Sequence, residues 1–381
     1  MDTCIPHACA RPQTPAERNP TKTDRDLIDM DNQAPQTHSF TFTGQGGEYF
    51  RIWIVNVALT IVTLGIYSAW AKVRRLQYFY RNTSLAGSGF DYHGDPLAIL
   101  KGRLIGVGLF VAYNVAARTD PLIGLGALIL LLAVLPWLLQ RSLCFKLANS
   151  SYRGLRFRFA GTTGGAYGVF LAWPILGYMT LGLLFPFVHQ RIKAWQHGNS
   201  RYGTTPFSFT AGVGGFYAIY GKLILMLAVA IGLAIAAASG LGLFALLDNP
   251  YLSREQRAGL IGMLALGFLA AYLLAMLFVG PWFAARMQNL VWNGTALGPH
   301  GLRSDVRARD LLAIYLTNFL AILLTVGLFK PFADIRLARY RLEHMALAAQ
   351  TDLDEFVAGQ ASAVAATGEE TAEVFDVDIS F

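Results

Sequence analysis

The sequence predicts an all-α, multi-pass membrane protein: about seven hydrophobic helices in internal repeats, with short extended arms and interfacial helices between them. Three observations predict it. Of 381 residues 54% are hydrophobic and 14% charged, at a mean hydropathy of +0.42, more apolar surface than a water-soluble domain of this length hides in one core. The apolar residues gather into runs of about 20, enough for a helix to cross roughly 30 Å of hydrocarbon. The ends of those runs repeat one pattern.

The runs lie near residues 50–70, 97–117, 121–139, 164–187, 217–246, 258–282 and 311–332. Leu223–Ala245 and Leu260–Ala285 carry no charged side chain. The flanks are different material. Residues 1–37 are rich in Pro, Thr, Asp and Asn, lack the apolar stretch of a signal peptide, and read as a disordered cytoplasmic tail. Residues 38–345 read as the repeat-built membrane domain and residues 346–381 as an acidic, disordered C-terminal tail. Residues 351–381 hold eight acids and no Lys or Arg, so a formal net charge of +7 leaves +15 on the rest. That excess suits anionic head groups, and the positive-inside rule produces it equally. Cys4, Cys9 and Cys144 make no disulfide framework. Cys4, His7 and Cys9 supply three soft ligands where a structural zinc site takes four, and no metal or other cofactor is expected.

Three runs end alike: Thr63-Leu-Gly-Ile-Tyr-Ser-Ala-Trp70, Thr180-Leu-Gly-Leu-Leu-Phe-Pro-Phe187 and Thr325-Val-Gly-Leu-Phe-Lys-Pro-Phe332. An Arg follows four residues on, at Arg74, Arg191 and Arg336, and Trp137/Arg141 and Trp282/Arg286 repeat that spacing. Eight residues beyond Arg74, Arg141 and Arg191 stand Asn82, Asn149 and Asn199. Each Asn precedes a Phe-x-aromatic pair (Phe90/Tyr92, Phe157/Phe159, Phe207/Phe209) and a Gly (Gly94, Gly161, Gly212). Phe40-Thr-Phe-Thr-Gly44 resembles the end of this element, and the copy after Arg286 keeps only Asn293 and Gly298.

An aromatic at the end of an apolar run sits at the head-group level, where an Arg one turn further reaches phosphate. Residues 70–81 alternate basic with apolar side chains, as an interfacial helix does. The Phe-x-aromatic pieces have period two and predict short arms that pair into a small sheet on one side of the membrane. Like charge at like ends places all five aromatic-x3-Arg ends on the cytoplasmic side. Runs two and three, and five and six, then form hairpins, whereas run four either crosses against the charge rule or re-enters near Pro174 and Gly177.

No phosphate loop and no G-x-S-x-G elbow is present, and the apolar cores hold no Asp or Glu, which argues against an ATPase, a serine hydrolase and proton-driven transport. Neither catalytic residues nor nucleic-acid binding are indicated. Asn56 and Asn318 stand seven residues before Thr63 and Thr325, at positions that line a substrate site or bond helices together. Lys101, Arg103 and Lys222 enter runs two and five as snorkelling cations or, with Arg74, Arg141 and Arg191, as contacts to a lipid phosphate or anionic solute.

Phe40 to Gly44, Thr63-Leu-Gly-Ile-Tyr-Ser-Ala-Trp-Ala-Lys-Val-Arg74 and the Asn82 to Gly94 loop together resemble the YjgN family of bacterial inner-membrane proteins of unknown function. The resemblance runs over residues 38–345 and implies a multi-pass cell inner-membrane protein, with no activity and no site residues to carry over. The expected function is to bind or pass a small solute or lipid without an ATPase of its own, with membrane lipids as partners and no protein partner indicated. The alternative is a structural or interaction protein that organises lipids or recruits a partner through its tails. An enzyme is the least supported class.

Overall fold

The computed structural model describes residues 36–247 and 249–366. The chain builds five units, each a strand, a helical hairpin and a returning strand. Unit one is β1 (Gln36–Phe42), α1 (Gly46–Val62), α2 (Ser68–Arg81) and β2 (Thr83–Leu85). Unit two is β3 (Ser88–Tyr92), α3 (Pro96–Thr119), α4 (Pro121–Ala148) and β4 (Ser150–Tyr152). Unit three is β5 (Leu155–Phe159), then α5 (Thr163–Tyr167) running through one π-helical turn (Gly168–Ala172) into α6 (Trp173–Met179), then α7 (Phe185–Gly198) and β6 (Ser200–Tyr202). Unit four is β7 (Thr205–Phe209), α8 (Val213–Gly240), the short α9 (Leu243–Leu247), α10 (Arg254–Asn293) and β8 (Thr295–Leu297). Unit five is β9 (His300–Ser304), α11 (Ala308–Leu324), α12 (Lys330–Glu343) and β10 (Met345–Ala349), after which α13 (Leu353–Ala366) follows.

The strands close into one antiparallel barrel in the order β1-β10-β9-β8-β7-β6-β5-β4-β3-β2. Within a unit the entering and returning strands pair, as in Phe40↔Leu85, Phe90↔Tyr152, Phe157↔Tyr202 and Phe207↔Leu297. Two-residue loops join β2 to β3 and β4 to β5, with positive φ at both Ala86–Gly87 and Arg153–Gly154, the twist that suits a tight hairpin. β1 closes the ring on β10, Gln36 opposite Ala349.

Backbone bonds fix the neck where strands become helices. The residue after each entering strand donates its N–H to the helix C-cap carbonyl: Thr43 to Asn82 (2.9 Å), His93 to Asn149 (2.8 Å), Ala160 to Asn199 (2.8 Å), Thr210 to Gly294 (2.7 Å) and Asp305 to His344 (3.2 Å). The fourth cap is therefore Gly294 and not Asn293. A Cβ there would lie 2.6 Å from Ala211 Cβ and 2.8 Å from its N, so no side chain fits. Side chains then tie each unit to the next, closing a ring. Gln77 donates to the Tyr92 carbonyl, Gln140 to Gly161, Gln190 to Ala211, Asn289 to Val306, and Arg339 to Gly44.

This architecture overturns the all-α expectation and the count of about seven hydrophobic helices. Among the described residues four helices are long and apolar enough to cross a membrane, α3, α4, α8 and α10. Runs one, four and seven are not single helices. Their shared Thr-x-Gly is a helix stop: Gly65 N–H bonds Thr60 O at 2.7 Å while Leu64 N–H bonds Ile61 O, and Gly182 and Gly327 repeat the pattern with Gly177 and Ile322. Leu64, Leu181 and Val326 sit there at φ of 50°, 51° and 49°, followed by glycines at 94°, 89° and 92°. Thr63, Thr180 and Thr325 brace each turn by donating one turn back and accepting from the N–H four residues on. The chain reverses, and both ends of the hairpin return to the barrel.

Residues 346–366, grouped by sequence with the acidic tail, contribute β10 and α13. Residues 1–35 and 367–381, including Cys4, His7 and Cys9, lie outside the described residues.

Candidate functional site: the chamber inside the barrel

The Phe-x-aromatic pairs form the barrel lining. Strand pleating turns alternate residues one way, so the first aromatic of each pair meets its counterparts on the axis. Phe40, Phe90, Phe157, Phe207 and Leu302 from the entering strands join Leu85, Tyr152, Tyr202, Leu297 and Leu347 from the returning ones in one cluster. The rings contact in sequence, with Phe90–Tyr152 centroids 4.7 Å apart and Phe157–Tyr202 5.1 Å apart. Eight strands are just filled by side chains, whereas ten leave room. A cavity of about 620 Å³ runs along the axis.

Its floor is the last helix. Leu353, Phe356 and Val357 line the cavity from α13, with Phe356 edge-on to His300 at 4.5 Å. Polar contacts latch that helix to the hairpin loops. Gln360 Oε1 accepts from Thr204 N (3.0 Å), Thr204 Oγ1 (2.8 Å) and Thr205 N (3.1 Å), and Arg153 pairs with Asp354. Arg153 holds the strained left-handed position of its loop (φ 49°) and also donates to Ser88 Oγ and Ala86 O. At the barrel base the Gln350 N–H donates to His300 Nδ1 at 3.2 Å. Burial holds this imidazole below its usual pKa.

The lining is apolar because its polar atoms are spent. Tyr152 donates to Leu85 O (2.8 Å) and Tyr202 to Tyr152 O (3.0 Å), while burial raises both phenols, so neither ionises. Thr83, Ser150, Ser200 and Thr295 each donate to the carbonyl four residues back in the preceding helix, at 2.7–2.8 Å. Because the Thr295 hydroxyl is used that way, His197 Nδ1 must be the donor in their 3.3 Å contact. His197 stacks on Phe209 and meets Trp292 edge-on, and burial, then the neighbouring Lys193, lower its pKa to about 4. It is neutral at neutral pH. At the upper end the cavity runs among the last turns of the helices, where Lys146 and Gln196 join its lining.

The residues singled out by sequence sit elsewhere. Thr63 and Thr325 lie at the hairpin tips. Asn318 bonds α11 to α12, donating to Ala333 O (3.3 Å) and accepting from Arg336 (2.8 Å). Asn56 is buried at the matching place in α1, its Oδ1 without a partner among the described residues. Arg74 lies over the Tyr67 ring (5.8 Å), Arg141 over Trp137 (5.8 Å) and Arg191 over Phe187 (4.9 Å). Lys101 and Lys222 are exposed, and Arg103 donates to Ser68 Oγ. None of these lines the chamber. Sequence reasoning missed α13, although Leu353, Phe356 and Val357 follow helical spacing and Asp352 accepts from the N–H groups of Asp354 and Glu355 as an N-cap. It also missed Lys146, Lys193 and His197, which no motif marks.

A ten-stranded barrel with an internal cavity and helical hairpins rising from one rim, four of the helices among the described residues long and apolar enough to span, defines an integral membrane protein. The chain belongs to the family described as bacterial protein of unknown function (DUF898), whose model matches residues 37–374. It is similar to the inner membrane protein YjgN of Escherichia coli strain K12, 35% identical over 150 residues, which cover 39% of this chain and 38% of that protein. The protein of that name from Salmonella typhimurium strain LT2 is 32% identical over 140 residues, 36% of this chain and 35% of the relative. The matched stretch therefore spans well under half the length of these curated relatives. No solved structure matches. With these relatives and its apolar helices, the chain is an inner-membrane protein.

Proposed function

We propose that this inner-membrane protein binds a small apolar or amphiphilic molecule in the barrel chamber and passes it to or from the bilayer, without an ATPase of its own. The observation that carries the reading is the axial cavity of about 620 Å³ with apolar walls and a helical floor. That volume is in the range of about 300–1,000 Å³ typical of small-molecule sites. In the proposed arrangement α3/α4 and α8/α10 cross the bilayer as two hairpins. The other three hairpins dip in and return, and the barrel stands on the cytoplasmic side. Support comes from the tips, where Leu64, Leu181 and Val326 are 95%, 96% and 92% exposed, tolerable for apolar residues when lipid is the solvent. Arg141 and Arg286 lie toward the barrel end of their hairpins, the side the positive-inside rule makes cytoplasmic, and Arg74, Arg191 and Arg336 stand midway along their returning helices.

The test is binding of an uncharged pyrene-labelled acylglycerol to the full chain in detergent. Leu347→Trp fills the chamber and is expected to weaken binding at least tenfold. A wild-type protein that does not bind the probe, or a Leu347→Trp protein that binds it as wild type does, would reject the chamber as the site.

A further inference from the structure

We infer that the neck above the chamber binds the phosphate head group of an anionic lipid, through Lys72, Lys146, Lys193 and Arg103. The inference rests on the chamber reading, since the acyl chain is placed in the apolar cavity below.

Lys146 lines the top of the cavity beside Gln196 and His197, so a cation borders an otherwise apolar wall. It is not alone. Lys193, one turn before His197 on α7, is held below its usual pKa by burial and then by Lys146. Arg103 on α3 donates to Ser68 Oγ, one turn before Lys72 on α2, and Lys72 is lowered by burial, then by Arg103 and Lys146. Four cations from the first three units thus lie within electrostatic reach of one another. Among the described residues none of the four has an acidic partner. Asp91 and Asp334 pair with other cations: Asp91 with Arg81 at 3.0 Å, Asp334 with Arg75 at 3.7 Å and with Lys330.

Like charges gathered without a counterion at an apolar wall oppose one another, and the arrangement is relieved by an anion that several ammonium groups share. Phosphate suits it. Lysine approaches phosphate as a point charge from any direction, with no need for the fixed fork that a carboxylate pairs with on arginine. His197, neutral as shown above, adds no charge, so the lysines carry the attraction. Two sources share this chemistry, a lipid head group and free phosphate. The apolar cavity that Lys146 borders and the exposed apolar hairpins above it favour the lipid.

The experiment compares phosphatidylglycerol with phosphatidylcholine of the same chains on delipidated full-length protein, by native mass spectrometry. Wild type is expected to prefer phosphatidylglycerol at least tenfold. The combined Lys72→Gln, Lys146→Gln and Lys193→Gln variant is expected to lose the preference while still binding the uncharged pyrene probe, which shows that it folds. Arg at the same three positions should keep the preference. Equal binding of the two lipids by wild type, or a preference that survives the Gln variant, overturns the site. Displacement of phosphatidylglycerol by inorganic phosphate at equal concentration overturns the lipid as its source. In Leu347→Trp, loss of probe binding with the phosphatidylglycerol preference intact would count against the chamber and for the head-group site, so the two readings fail separately.

Discussion

Replacing Gln360 with Ala should release α13 from the base of the barrel without unfolding the barrel. The Gln360 amide oxygen accepts three hydrogen bonds, from Thr204 N, Thr204 Oγ1 and Thr205 N, at 2.8–3.1 Å. A neutral hydrogen bond contributes about 0.5–1.5 kcal/mol net. The donors sit in a partly exposed loop where water can replace the acceptor, so a value in the lower half of that range applies, about 0.7 kcal/mol each and roughly 2 kcal/mol for the three together. That shifts docking of α13 about thirtyfold, at 1.36 kcal/mol per factor of ten. The assay is hydrogen–deuterium exchange, which reports local opening separately from global unfolding. Amides of residues 353–366, and those of Thr204 and Thr205 that lose their acceptor, should exchange about thirtyfold faster in Gln360→Ala, with those of β3 to β6 unchanged. Gln360→Glu is the control: only the oxygen is used, so a carboxylate keeps all three acceptor contacts and slow exchange should persist. Wild-type exchange in Gln360→Ala, or equal loss of protection across the strands, would refute the latch.

Arg141→Lys and Arg191→Lys should stay within about 0.5 kcal/mol of wild type in detergent melting, because each Arg lies over a ring at an exposed site where a Lys retains much of the attraction. Arg336→Lys should cost more, about 1 kcal/mol, since the Asn318 contact at 2.8 Å loses its donor geometry; equal losses at all three would contradict this ordering. Stability should fall as pH drops from 6.5 toward 4. His197 has its folded pKa lowered to about 4, so the unfolded chain takes the proton first and the stability present above pH 6.5 is lost across that window, by up to about 3 kcal/mol. His189, lowered to about 4 by burial and Lys193, adds a similar share, so His197→Gln should roughly halve the drop in melting temperature; an unaltered pH profile would count against it. Leu181→Asp, at the tip of the third hairpin, should leave melting in detergent unchanged but reduce the membrane-inserted yield, by an amount set by an intramembrane acid of about 3 kcal/mol.

Much of the local structure is legible in the sequence. Asn82, Asn149 and Asn199 mark helix C-caps, and the Phe-x-aromatic pairs at 90, 157 and 207 mark strands whose first ring faces inward. What stays hidden is closure. Strands of three to seven residues have no stability alone, and their pairing into a ring depends on contacts between units such as Gln140 to Gly161 O, which no spacing announces. Hydropathy also misled at runs one, four and seven. A window averages across Thr63-Leu64-Gly65 as though it were helix, yet Gly65 at φ 94° ends the helix there, a signal present in the letters but weaker than the apolar run around it. The acidic end of the chain hid α13 in a similar way, because eight acids outweigh Leu353, Phe356 and Val357 in composition. The candidate residues stand out in the sequence because they recur, whereas the chamber is lined mainly by aromatic and aliphatic side chains that composition treats as ordinary core.

The most direct measurement is photo-crosslinking from inside the chamber. A benzophenone amino acid placed at Phe207, on the inner face of β7, is irradiated in intact membranes and the purified protein is weighed. A lipid-sized mass adduct at that position is expected, suppressed when Leu347→Trp is added. Crosslinks only to α13, or none beyond water addition, would show a chamber that takes no ligand.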